Sequence, residues 1–140
     1  MVKPINRVLY FEDEQDMVDL VRLVLSREGY TVEGASEGRA GLAAIREFSP
    51  DIILLDLMMP DMDGWEIYRQ LKKDEDTKDI PVIIVTAKAK SIDKVLGSEV
   101  EKVDDYIIKP FSPRDLVERV SGVLSECNES GEDYKTVNSP

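Results

Sequence analysis

The chain contains no histidine among its 140 residues. That absence removes Ser-His and Cys-His nucleophile pairs, a histidine general base, and any phosphohistidine formed on this chain. The single cysteine, Cys127, has no partner for an intramolecular disulfide and cannot anchor a zinc site without histidines, so the expected compartment is a reducing cytoplasm. Long hydrophobic runs are missing as well. The longest, such as 52–55, fall far short of a membrane span, and the N-terminal MVKPINRVLYFEDE turns acidic early. Positive charge is scarce: 18 Lys and Arg against 29 Asp and Glu leave a net charge of -11, which repels nucleic acid phosphates and anionic membranes. Neither nucleic acid nor membrane is an expected partner. Chemistry must therefore come from carboxylates, hydroxyls, lysines or a metal that they hold.

What remains is a globular balance of 42% hydrophobic and 34% charged residues, at a length suited to one domain. Short apolar runs at 7–11, 31–35, 51–56, 81–86 and 105–108 alternate with helical patterns. The runs IILL and VIIV lack polar alternation, as strands buried on both faces of a parallel sheet do. The expectation is a doubly wound α/β domain with a five-stranded parallel sheet.

The first helix, about 14–28, presents Met17, Leu20, Val21, Val24 and Leu25 on one stripe and stops at Gly29. The second, about 37–48, offers Leu42, Ile45 and Phe48 but carries Gly41 inside, a cost of about 1 kcal/mol against alanine. The third follows Gly64 with Ile67 and Leu71 inward, and a fourth pattern covers about 91–102. The fifth has Ser112 as N-cap, Pro113 at its first position, and Leu116, Val120 and Leu124 inward. From Ser125 on, SECNESGEDYKTVNSP shows no periodicity, so residues 1–125 read as the domain and 126–140 as a polar tail or linker stub.

In an open parallel sheet, ligands bind beyond the carboxyl ends of the strands, where strand order switches. Those ends carry Glu12 and Asp13, then Asp56, Thr86 and Lys109. A flavodoxin-like order, 2-1-3-4-5, brings them into one cleft. Clustered carboxylates repel, and an oxygen-seeking divalent cation relieves the repulsion, which points to Mg2+ with Asp13 and Asp56 as direct ligands and Glu12 direct or through water. Taken singly each residue has a plainer reading. Glu12 and Asp13 suit a helix start, Thr86 is an ordinary strand residue, and Lys109 suits a solvated surface.

The segments VLYFEDE at 8–14, PDIILLDLMMPDMDGWE at 50–66, PVIIVTAKA at 81–89 and DDYIIKPF at 104–111 together resemble the receiver domains of two-component response regulators. The resemblance implies a (βα)5 fold, Asp56 as phosphoacceptor, and Mg2+ held by Glu12, Asp13, Asp56 and the Met58 carbonyl. It also implies Thr86 as the switch hydroxyl, Tyr106 as the aromatic that moves with it, Lys109 as cationic partner, and a cis bond before Pro110. A histidine kinase or phosphotransfer protein is the implied phosphodonor. The implied output is a switched face of the fourth helix, fifth strand and fifth helix, which binds partners or forms a phosphorylation-dependent homodimer. Arg114 and Arg119 would there reach acids across a two-fold axis. The sequence departs from the family with Glu12 where Asp is frequent, Val103-Asp104 where Gly-Ala is frequent, and Gly97-Ser98 where a fuller helix is usual. An aspartyl-phosphate hydrolase would need a cap domain or long insertions, for which this chain is too lean. A degenerate binding module would not need all of Asp13, Asp56, Thr86 and Lys109.

Overall fold

The computed structural model describes residues 6–87 and 103–132, with side chains of the last helix up to Glu126. The order is β1 (Arg7–Phe11), α1 (Gln15–Ser26), β2 (Thr31–Ala35), α2 (Gly38–Phe48), β3 (Ile52–Asp56), α3 (Gly64–Lys73), β4 (Val82–Thr86), β5 (Asp105–Ile108) and α4 (Pro113–Glu132). The helix expected over 91–102, with Gly97 inside it, lies outside the described residues.

All strand pairs are parallel, in the order β2-β1-β3-β4-β5. Interior strands β3 and β4 are buried throughout, whereas edge strands β2 and β5 mix buried and exposed positions. That contrast is the reason IILL and VIIV carry no polar alternation. Helices α1 and α4 cover one face, where Val21 and Leu25, Leu116 and Val120 meet Val8 and Leu54. Helices α2 and α3 cover the other, where Ile45, Ile67 and Leu71 meet Leu9, Phe11 and Leu55.

Four details differ from the sequence reading. On α1 the buried stripe is Val18, Val21, Val24 and Leu25, and Leu20 is 40% exposed. Leu20 instead lines a groove of about 500 Å³ shared with Leu23, Pro113 and Val117. Gly41 marks close packing rather than a weak helix, because a Cβ there would collide with the ring of Phe11. The glycine lets α2 lie directly on β1. Strands β3 and β4 each begin one residue later than expected. Asp51 instead turns its carboxylate to the backbone N–H groups of Asn6 and Arg7, at 3.0 and 2.8 Å.

The fourth difference is the length of α4, which runs to Glu132 past the aperiodic stretch after Ser125. Extending a nucleated helix needs no apolar stripe and costs far less than starting one, so periodicity does not report where it stops. Its start is as expected, with the Ser112 hydroxyl accepting the Asp115 N–H at 3.0 Å. Among the described residues, no helix is long and apolar enough to cross a membrane.

Candidate functional site

Strand pairing sets the site. Phe11 pairs with Leu55, Asp56 with Val85, and Thr86 with Ile108, so Glu12, Asp56, Thr86 and Lys109 end four adjacent strands at one edge. Glu12, Asp56 and Thr86 are buried, and Asp13 beside them is exposed. Carboxylate oxygens of Glu12, Asp13 and Asp56 lie within 4.8 Å of one another. An all-oxygen donor set with one solvent-facing member suits Mg2+, which keeps several waters. Three carboxylates converging in this way fit the ion.

Lys109 spans the acids. Its Nζ donates to Glu12 Oε1 at 2.6 Å and to Asp56 Oδ2 at 3.1 Å, and its N–H donates to the Thr86 carbonyl at 2.9 Å. The Lys109-Pro110 peptide is cis, as the resemblance implies. Burial alone would lower the Lys109 pKa, but the bonds to Glu12 and Asp56 and their charges leave it raised. Burial raises the Glu12 pKa, against the bonds from Lys109 and the Glu14 N–H. Glu12 is also fully engaged: Oε1 accepts from Lys109 and from the Tyr10 hydroxyl at 2.9 Å, and Oε2 accepts the Glu14 N–H at 3.1 Å.

The loop after Asp56 closes on itself. Asp56 Oδ1 accepts the Met58 N–H at 2.9 Å, Met58 bridges to Asp63, and the Gly64 N–H donates to the Leu57 carbonyl at 3.1 Å. Gly64 has to be glycine because a Cβ would run into the Leu57 backbone. Asp63 caps α3 through the Trp65 N–H. Met58 is half exposed, and Tyr106 sits half-buried against the α2-α3 side of the core.

Two polar residues of the site escape the sequence reading. Tyr10 is fully buried two residues before Glu12, so the period-two geometry of a strand turns both to the same face. That spacing was the available signal. Burial, then Glu12, raises its pKa and keeps it a donor well above neutrality. Tyr10→Phe removes one bond to a buried carboxylate and is expected to lower unfolding free energy by about 2 kcal/mol in a urea titration. The second residue is Asp61, which accepts the N–H groups of Gly38 and Arg39 at 2.7 and 3.1 Å. Those two amides hold its carboxyl below the usual carboxylate range.

The arginines expected to reach across a two-fold axis are engaged within the chain. Arg119 pairs with Asp105 at 2.7 Å and Asp115 at 3.2 Å, and Arg114 pairs with Glu118 at 3.0 Å. Asp104, at a position where the sequence departs from the family, exchanges two bonds with Val82, from its N–H to the carbonyl and from the Val82 N–H to its carboxylate. That exchange fixes the entry to β5 against β4.

A parallel 2-1-3-4-5 sheet with acids and a lysine gathered at the carboxyl edge is the architecture of a signal receiver. Residues 8–121 match the family model of the response regulator receiver domain, and the chain belongs to that family, as a receiver domain of a two-component response regulator. Among curated relatives, it is 40% identical over 119 residues to the DNA-binding response regulator MtrA of Mycobacterium tuberculosis H37Rv, covering 85% of this chain and 50% of that protein. MtrA of Mycobacterium leprae matches at the same identity, with 51% of that protein covered. The chain thus spans about half the length of the curated relatives it matches. Among solved structures, the CheY-like receiver domain protein of Methanospirillum hungatei JF-1 superposes with a TM-score of 0.78 at 30% identity, covering 91% of this chain and all of that one. Chemotaxis response regulator CheY4 of Vibrio cholerae superposes with a TM-score of 0.77 at 28% identity, covering 86% of this chain and 99% of that one.

Proposed function

We propose that this receiver takes a phosphoryl group on Asp56 from the phosphohistidine of a histidine kinase or phosphotransfer protein, in a Mg2+-dependent reaction. The observation that carries the reading is the Lys109 ammonium bonded to Asp56 Oδ2 inside a cluster of three carboxylates. An Asp56 oxygen forms the new O–P bond as the N–P bond of the donor breaks. The electron pair leaves with the imidazole nitrogen, which then holds a proton. Asp13, Asp56 and the Met58 carbonyl would hold Mg2+, with Glu12 direct or through water, and the ion would neutralise charge on the phosphoryl oxygens. Lys109, already at the acceptor carboxylate, supplies a fixed positive charge to the same oxygens, and the Thr86 hydroxyl supplies a hydrogen bond. The added negative charge draws Thr86 inward and lets Tyr106 repack, which changes the face around β5.

The only enzymatic work in this reading is the domain's own phosphorylation and the hydrolysis of its acyl phosphate. The acting domain in this reading is 1–125, with 126–140 as a polar tail or linker stub into which α4 continues as far as Glu132. The net charge of the whole chain, -11, opposes nucleic acid binding by this chain itself. The DNA binding in the relatives' names belongs to proteins about twice the matched length. A cytoplasmic setting accords with a kinase partner and a lone cysteine. A phosphorylation-dependent homodimer through the β5 and α4 face would require Arg119 to exchange Asp105 or Asp115 for a partner's acid.

The test is incubation with a small-molecule phosphodonor such as acetyl phosphate and Mg2+. The protein is expected to take up phosphate that alkali releases. Uptake that survives EDTA, or a label stable to alkali, contradicts the reading.

A further inference from the structure

The loop between Asp56 and Gly64 is braced internally, by Asp56 on the Met58 N–H, by the Met58 to Asp63 bridge and by Gly64 on Leu57. Those bonds fix the loop's shape, and the pairing of Leu55 with Phe11 and of Asp56 with Val85 anchors its first residue, but they do not tie its outer turn to the rest of the fold. Asp61 reaches out of it. Its Oδ1 accepts the Gly38 N–H at 2.7 Å and its Oδ2 accepts the Arg39 N–H at 3.1 Å, at the start of α2. Helix α2 has that acceptor position open, because its own N-cap, Glu37, makes no side-chain cap bond and its first turn holds no acid. The carboxylate thus caps a helix more than twenty residues away in sequence and ties the loop to it. Helix α2 is in turn seated hard on β1, with Gly41 against the Phe11 ring. The acid pair Glu12 and Asp13 follows Phe11 directly. Asp61 therefore connects the loop carrying Met58, through α2, to the strand that delivers the other two acids.

We infer that Asp61 is a positioning residue, which sets the register of the Met58 loop against Glu12 and Asp13 and so tunes the affinity of the site for Mg2+. The inference rests on the magnesium reading of the site given above. A supporting partner that holds ligands in place typically changes metal affinity by about 10–100-fold when removed. A plain helix cap changes stability and leaves affinity alone.

The experiment is calorimetric titration with MgCl2 alone, paired with thermal melts in EDTA, on the full chain. Asp61→Ala is expected to weaken Mg2+ binding by about tenfold and to lower the melting temperature. Asp61→Asn, which keeps one oxygen acceptor but loses the charge, is expected to bind Mg2+ more tightly than Asp61→Ala. Adding Glu37→Asp to Asp61→Ala gives α2 a cap of its own, and is expected to recover the melting temperature without recovering the affinity. Equal Mg2+ affinity in wild type and Asp61→Ala overturns the positioning role. So does equal weakening by Asn and Ala, which would be a charge effect, or recovery of affinity by Glu37→Asp, which would mean that the state of α2 sets the affinity without any tie from Asp61 to the loop. A wild-type protein that binds no Mg2+ overturns the magnesium reading itself, and is thereby distinguished from a failure confined to Asp61.

Discussion

Asp56→Asn is expected to take up no phosphate from a small-molecule donor under conditions that label the wild type, and to remain folded while failing. The amide keeps the shape of the carboxylate and one oxygen, which can still accept the Met58 N–H now bonded to Asp56 Oδ1 at 2.9 Å. Lys109 keeps its shorter bond to Glu12, at 2.6 Å. One acid fewer in the cluster also reduces repulsion, so stability in EDTA should stay within about 1 kcal/mol of wild type. Magnesium then separates the two proteins a second time. At a hundredfold excess over its Kd, the ion should stabilise wild type by about 2.7 kcal/mol, and the variant by clearly less. The control addresses a rival nucleophile. The rival to test is Asp13, the acid of the cluster that is exposed to an incoming donor, whereas Glu12 is buried. Label retained by Asp56→Asn and lost in Asp13→Asn would transfer the acceptor role to Asp13.

What could be read from the sequence was whatever depends on local period or on strand ends. The uninterrupted runs in β3 and β4 gave their double burial away, and the residues following each run became the site because a parallel sheet aligns all its carboxyl ends. Choices between neighbouring helix positions were less visible. The stripe read on α1 holds at Val21, Val24 and Leu25, but the choice of Met17 and Leu20 over Val18 is decided only by packing against α4 and the sheet. Gly41 looked like a helix defect because its reason, the Phe11 ring, lies in another element. Arg119 looked free because Asp105 becomes its neighbour only once β5 and α4 are docked, whereas Asp115, four residues earlier on the same helix, is a partner that the spacing alone already offers. Asp61 is the extreme case. It sits within the most recognisable segment of the chain, yet what it does depends on an acceptor position left open on α2, which no local pattern records.

Lys109→Met should be the most destabilising single change in the site. The substitution keeps most of the apolar stem and removes an ammonium whose partners are almost wholly buried, Glu12 at 1% and Asp56 at 6% side-chain exposure. Removing one member of a buried pair leaves the others uncompensated and typically costs about 3–5 kcal/mol. For a domain of this size that is a melting temperature lower by about 10–20 °C. The loss should depend on pH in a definite direction. Burial already raises the folded pKa of Glu12 above its ordinary 4.5, and without the lysine it must rise further. A carboxyl with a raised folded pKa favours the native state when protonated, so that contribution is full below the unfolded value and is lost as pH climbs through the folded one. The gap between Lys109→Met and wild type should therefore be narrow near pH 4.5 and widen toward neutrality. Two further measurements assign the cause. Mg2+ should close part of the gap at neutral pH by supplying positive charge to the same oxygens. Asp56→Asn added to Lys109→Met should recover stability, because two residues sharing one charge cluster are not additive. Thermal melts of the four proteins across pH, with EDTA or Mg2+, give every comparison. Equal stability of Lys109→Met and wild type at neutral pH in EDTA would mean that the lysine does not hold the carboxylates together, and its role would then be confined to the phosphoryl group.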